Sequence, residues 1–129
     1  MSKRTEISEA ELLKLVMLAL TKEGHRVFRC NRGMSWTGQL VEDYRNVNGE
    51  RTITLRNARP FHAGFVDGAS DLIGFSRAGR FIALELKSRR GRLSPEQKNF
   101  IAQVQAHGGI AGVVRSTEDA LRLVRLGFN

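Results

Sequence analysis

Residues 70–100, SDLIGFSRAGRFIALELKSRRGRLSPEQKNF, decide the fold of this chain. Ser70–Ser76 and Arg80–Lys87 read as two strands, each an apolar run closed by charge. Arg77, Ala78 and Gly79 between them suit a three-residue hairpin loop, with Gly79 in the left-handed region. Ser76 then pairs with Arg80, and counting outward sets Asp71 opposite Glu85. Side chains alternate along a strand, so Phe81, Ala83, Glu85 and Lys87 share one face while Ile82, Leu84 and Leu86 take the other. On the first strand Asp71, Ile73 and Phe75 share a face.

Opposed side chains on one face sit ~5 Å apart at Cβ. Two carboxylates that close repel each other unless something positive lies between them. Lys87 supplies one charge. A divalent cation supplies more, and hard oxygen ligands suit Mg2+ or Mn2+. The competing reading is a surface ion-pair cluster with Lys87 bridging both acids, and Glu-x-Lys alone favours it, since such pairs are common and weak. The neighbourhood favours a site, because all three charges end apolar runs at one sheet edge.

Working outward, SRRGRL is a basic loop. SPEQKNFIAQVQAHGG is a punctuated helix: Ser94 caps it, Pro95 opens it, Gln97 completes a capping box, and glycines follow His107. IAGVVR is a buried-type strand, and STEDALRLVRLG a last helix capped by Ser116. Upstream, Ser8 caps a helix running to about Lys22, with Glu9 and Glu11 suited to its positive end and Gly24 after it. HRVFRC, residues 25–30, reads as a short strand. Asn48-Gly49 between QLVEDYR and ERTITLRN is a strong hairpin signal, while RGMSWTG and ARPFHAGFVDG read as loops. The expected architecture is α/β, a central mixed sheet flanked by helices with a hairpin insertion, in one domain spanning 1–129.

The whole chain is consistent with that size. It has 129 residues, 41% hydrophobic and 26% charged, which is globular rather than disordered composition. Lys and Arg number 21 against 13 acids, a formal charge of +8 that suggests a polyanionic partner such as nucleic acid. Cys30 is the single cysteine, which excludes an intrachain disulfide and a cysteine-rich zinc site. The longest apolar run, LLKLVMLAL, has nine residues and includes Lys14, whereas a membrane span needs ~20. MSKRTEISEAE does not read as a signal peptide. An intracellular protein is expected.

The pattern GASDLIGF…GRFIALELKS…GRLSPEQKNFIAQVQAHGG, with SEAELLKLVMLALTKEGHRVFRCNRG upstream, resembles the viral-type replication-repair nuclease domain, VRR-NUC, of the PD-(D/E)xK restriction-endonuclease-like superfamily. The specific part is Asp71, a spacer of 13 residues, then Glu85-x-Lys87, followed by Leu-Ser-x-x-Gln. Ser70 stands where the superfamily motif has proline. The resemblance implies a restriction-endonuclease-like core in αβββαβ order and a metal-dependent endonuclease acting on DNA. It implies that Asp71 and Glu85 bind Mg2+ or Mn2+ and that Lys87 positions or activates the attacking water. Glu9 on the first helix completes the metal set, with Glu11 in reserve. Gln97 is placed near the active centre; on its own spacing it both caps a helix and extends the inward stripe of Phe100, Ile101 and Val104.

Ser88, Arg89, Arg90 and Arg92 directly follow the strand that carries Glu85, and read either as a solvated loop or as phosphate-gripping residues. Arg29, Asn31 and Arg32 with Gly33 resemble the family's RxNxG turn and join the DNA-binding set. Trp36, Phe61 and Phe65 are packing residues of the insertion or wedges for opened DNA. His25, His62 and His107 lack metal-like spacing. Stand-alone domains of this size resemble phage and bacterial members that resolve Holliday junctions as homodimers. The resemblance therefore implies branched or four-way DNA as substrate, a second copy as partner, no membrane, and the cytoplasm of a bacterial or phage-infected cell. The alternative is a non-catalytic DNA-binding module that keeps the fold.

Overall fold

The computed structural model describes residues 7–30 and 33–127. The chain divides into two compact units, one formed by residues 1–30 with 66–129 and the other by residues 31–65.

The first unit runs α1 (Glu9–Lys22), β1 (Arg26–Arg29), β4 (Leu72–Phe75), β5 (Phe81–Leu86), α2 (Pro95–Ala106), β6 (Ile110–Val114) and α3 (Thr117–Leu126). Its four strands lie in the order β1-β4-β5-β6. β4 is antiparallel to β1 and β5, and β6 is parallel to β5. The parallel pair requires a crossover, and α2 provides it. This is a mixed sheet with helices in αβββαβ order followed by α3, a restriction-endonuclease-like arrangement.

Alternation along β5 explains the layers. Ile82, Leu84 and Leu86 join Leu12, Val16 and Leu20 of α1 and Ala120 and Val124 of α3 in one core. Ala83, on the other face, joins Ile101 of α2 and Ala111 of β6, with Phe100 and Val104 packed alongside. Each helix faces the sheet with the apolar stripe its sequence carries. A fully buried leucine such as Leu84 stabilises this centre by ~2–3 kcal/mol from area alone. β1 lies so close to β4 that a Cβ at Gly74 would fall 2.0 Å from the Arg26 carbonyl oxygen.

Helix punctuation follows the sequence. Ser8, Ser94 and Ser116 cap the three helices, and the Ser94–Gln97 capping box is complete. The β4–β5 turn closes with Ser76 N donating to Arg80 O at 2.8 Å, and Gly79 has φ +83.

The second unit corrects the expectation of loops around a short hairpin. It is a two-stranded ribbon, β2 (Gly33–Arg45) and β3 (Arg51–Ala63), so RGMSWTG and ARPFHAGFVDG contribute to strands. Pro60 reads as a breaker in sequence, but a two-stranded ribbon leaves every strand with a free edge where a missing N–H is tolerated. Two register shifts, between Thr37 and Gln39 and between Leu40 and Glu42, break the strict alternation that would have revealed the strands. Asn57 at φ 54 sits beside the first shift. At the tip, Asn46 Oδ1 accepts from Asn48 N and Glu50 N, both at 2.9 Å, and Gly49 takes φ +83. Met34, Trp36 and Leu40 alternate along one face opposite His62, Pro60 and Leu55, and the first three are more than half exposed. Among the described residues, no helix is long and apolar enough to cross a membrane.

Candidate active site

The site grows from the β4–β5 register. Leu72 pairs with Leu84, which puts Asp71 and Glu85 at the next position outward, where the turn count predicts them. Asp71 stands one residue before β4, and its Oδ2 accepts from Leu86 N at 2.8 Å. Its own carbonyl accepts from Cys30 N at 2.8 Å, so the end of β1 fixes the backbone at this corner.

Glu85 is the penultimate residue of the buried strand β5 and is 2% exposed. Its Oε1 accepts from Gln97 Nε2 at 2.8 Å and lies 3.8 Å from Lys87 Nζ. Its Oε2 is buried with no hydrogen-bond partner among the described residues. Burial pushes the Glu85 carboxyl up to about 7, and the charge of the adjacent Asp71 pushes in the same direction, partly opposed by Lys87. A carboxylate so placed costs free energy to ionise unless a cation joins it.

Gln97 performs both of the roles its position suggests. Its Oε1 accepts from Ser94 N at 2.8 Å, closing the capping box, while its Nε2 reaches Glu85. Helix α2 is therefore fastened to β5 through the side chain that caps it.

Glu9 begins α1 and reaches the same end of the sheet, where its Oε1 accepts from Ser88 N at 2.9 Å. Among the described residues, no three His, Cys, Asp or Glu side chains gather closely enough to form a metal-holding group. Glu9 bonds the backbone just after β5, while Asp71 and Glu85 stand next to each other beyond the last β4–β5 pair. Ser88, Arg89, Arg90 and Arg92 are exposed beyond Lys87. Arg29 is exposed at the end of β1, opposite Leu72, on the strand whose end bonds Asp71. Asn31 and Arg32 lie outside the described residues.

A family model decides what this arrangement is: the VRR-NUC domain matches residues 7–118 of the 129. The chain belongs to the VRR-NUC family. That match extends through residues 33–65, so the ribbon lies inside the stretch covered by the VRR-NUC model. VRR-NUC is a nuclease family, which suggests DNA as the partner of this basic chain. A search of curated proteins finds no match.

One residue of this VRR-NUC site escaped the sequence reading. Arg115, the last residue of IAGVVR, sends Nη2 to Gly91 O at 3.0 Å and Nη1 to Ser88 O. The sequence does not give the register of β6 against β5, so only the structure brings Arg115 to this turn.

Proposed function

We propose that this chain is a Mg2+- or Mn2+-dependent endonuclease that hydrolyses phosphodiester bonds in branched DNA, acting as a homodimer. The observation that carries the reading is the orphaned Oε2 of a buried Glu85 next to Asp71. Two adjacent carboxylates, of which Glu85 has an unpartnered oxygen and a raised proton affinity, fit a hard divalent cation, which oxygen donors favour.

Asp71 and Glu85 would hold the ion, with Gln97 fixing the orientation of Glu85. A bound divalent ion lowers the pKa of its water and offsets charge on the phosphate. Lys87 Nζ, free of the metal set, donates hydrogen bonds to the attacking water and to the phosphate oxygens as their charge grows. A water oxygen forms the new bond to phosphorus and releases a proton to solvent, the old phosphorus–oxygen bond breaks, and the leaving oxygen takes a proton from solvent. Arg29, Arg89, Arg90 and Arg92 would grip backbone phosphates, setting register without reading bases.

Two-fold symmetric cutting of a four-way junction needs two centres, which is the reason for proposing a dimer. The exposed apolar face of Met34, Trp36 and Leu40 supports it, since an isolated two-stranded ribbon is marginally stable in water. The test is a panel of labelled duplex, flap, splayed-arm and four-way DNA, with Mg2+, Mn2+ or chelator, comparing wild type with Lys87→Ala. Metal-dependent cutting of branched DNA that the substitution abolishes supports the proposal. Tight, salt-sensitive binding with no cutting would leave the non-catalytic DNA-binding module in its place.

A further inference from the structure

The turn that follows β5 is fastened from two sides. Glu9 Oε1 takes Ser88 N at 2.9 Å, from the start of α1. From the end of β6, the Arg115 guanidinium donates to Ser88 O and, at 3.0 Å, to Gly91 O. Gly91 N also donates to Ser88 O at 3.0 Å, so one carbonyl collects both the turn's own bond and the fork.

Parallel pairing brings Arg115 there. Leu86 pairs with Val114, and Lys87 N donates to Val114 O at 3.1 Å, so the two strands run out side by side. Arg115 itself is held at its backbone N–H by Asp119 Oδ2 at 3.0 Å, within the first turn of α3. The turn in its grip lies alongside the Lys87 side chain, with no room for a larger residue: a Cβ at Gly91 would meet Lys87 Cδ at 3.1 Å and Lys87 Cβ at 3.3 Å.

We propose that Arg115 is a positioning residue for the reaction: by bonding two carbonyls of the Ser88–Gly91 turn, it packs that turn against the Lys87 stem and holds the amine at Glu85. The proposal rests on the nuclease reading above and assigns Arg115 no contact with DNA. A planar fork is what the task requires, because two carbonyls of one turn must be met at fixed separation by one group. A lysine ammonium, a single nitrogen on a flexible stem, lacks that fixed fork. The neighbouring Asp119 keeps the side chain's own backbone in place, and its partner Arg122 lies 3.8 Å away on the side of α3.

Arg115→Lys and Arg115→Ala test this with two readouts. Cleavage at saturating DNA should slow about 10- to 100-fold in both, because a small displacement of a reacting group is enough to cost that much. The slope of DNA affinity against salt should stay at the wild-type value, since no phosphate contact is lost. In native-state digestion with trypsin, cutting after Arg89 and Arg90 should accelerate several-fold in both variants, reporting local opening of the turn. Arg115→Lys retains the stem and the charge, so it keeps the test alive if the alanine variant does not fold. Wild-type cleavage by Arg115→Lys would overturn the proposal, as charge alone would then suffice; so would unchanged trypsin cutting in both variants. Should wild type itself cut no DNA, the nuclease reading fails, and the trypsin readout alone decides whether Arg115 holds the turn.

Discussion

Gln97 binds Ser94 and Glu85 with opposite ends of one amide, each at 2.8 Å. The helix cap and the orientation of a buried carboxylate share one side chain, so stability and activity are separable by substituting Ser94 and Gln97 in turn. Ser94→Ala should lower stability by ~1 kcal/mol through the lost cap, with cleavage retained at low temperature. Gln97→Ala should lower stability by a similar amount and also slow cleavage, because Glu85 loses its one neutral donor. Thermal melts and single-turnover rates on the two variants check this. Equal rates in both would remove Gln97 from the site.

Glu85 makes metal-free stability depend on pH in an unusual direction for an acid. Burial raises its folded pKa from the ordinary carboxylate value of 4.5 to about 7. The stabilisation is therefore complete below the unfolded value and is lost as pH rises through about 7. Glu85→Gln should be more stable than wild type in chelator at pH 8, by about 1–3 kcal/mol, while cleaving no DNA. Mg2+ or Mn2+ should raise the wild-type Tm and leave the variant's unmoved. A variant that is less stable than wild type at pH 8 would mean the carboxylate is not strained by burial.

His25 works the other way. It is almost fully buried, and its Nδ1 accepts from Arg77 N at 3.1 Å, so the neutral ring is the bonded form. Burial, then the Arg77 charge, lowers its pKa, partly offset by Glu23. A lowered pKa gives stability that is complete above the unfolded value, about 6.5, and is lost as pH falls through the folded one. The Tm difference between wild type and His25→Gln should shrink steadily from pH 7 to pH 5. Subtraction cancels the opposing trend of Glu85. A difference independent of pH would mean that His25 does not titrate in this window.

Ser70 is fully buried, and its Oγ has no hydrogen-bond partner among the described residues. Removing an unsatisfied buried hydroxyl should stabilise the fold, and Ser70→Ala is expected to gain about 1 kcal/mol in denaturant unfolding. Cleavage should be unchanged, because Asp71 is positioned by Leu86 N and Cys30 N rather than by its neighbour. A loss of stability would show that the hydroxyl has a partner in solution.

By contrast, Gly74→Ala should be among the most damaging substitutions in the first unit. The added Cβ would fall 2.0 Å from the Arg26 backbone oxygen, and no side chain can rotate to relieve that contact. Loss of the β1–β4 pairing would free the strand end that bonds Asp71, so folding and metal-dependent cleavage should fail together, as circular dichroism and activity would report.

Much of this protein is legible in its sequence because the deciding constraints are local. Three serines cap three helices, a Gly79 turn sets the β4–β5 register, and alternation then forces Asp71 and Glu85 together. The ribbon was less legible, since two register shifts and Pro60 disguise its period. What tertiary structure alone decided are contacts between residues far apart in sequence: Glu9 on Ser88, Arg115 on the same turn, and Cys30 on Asp71. Periodicity says which face a residue takes, but hydrogen bonds across tens of residues depend on where packed helices and parallel strands happen to end. The bond from Ser88 N to Glu9, 79 residues apart, is one that no spacing foretold.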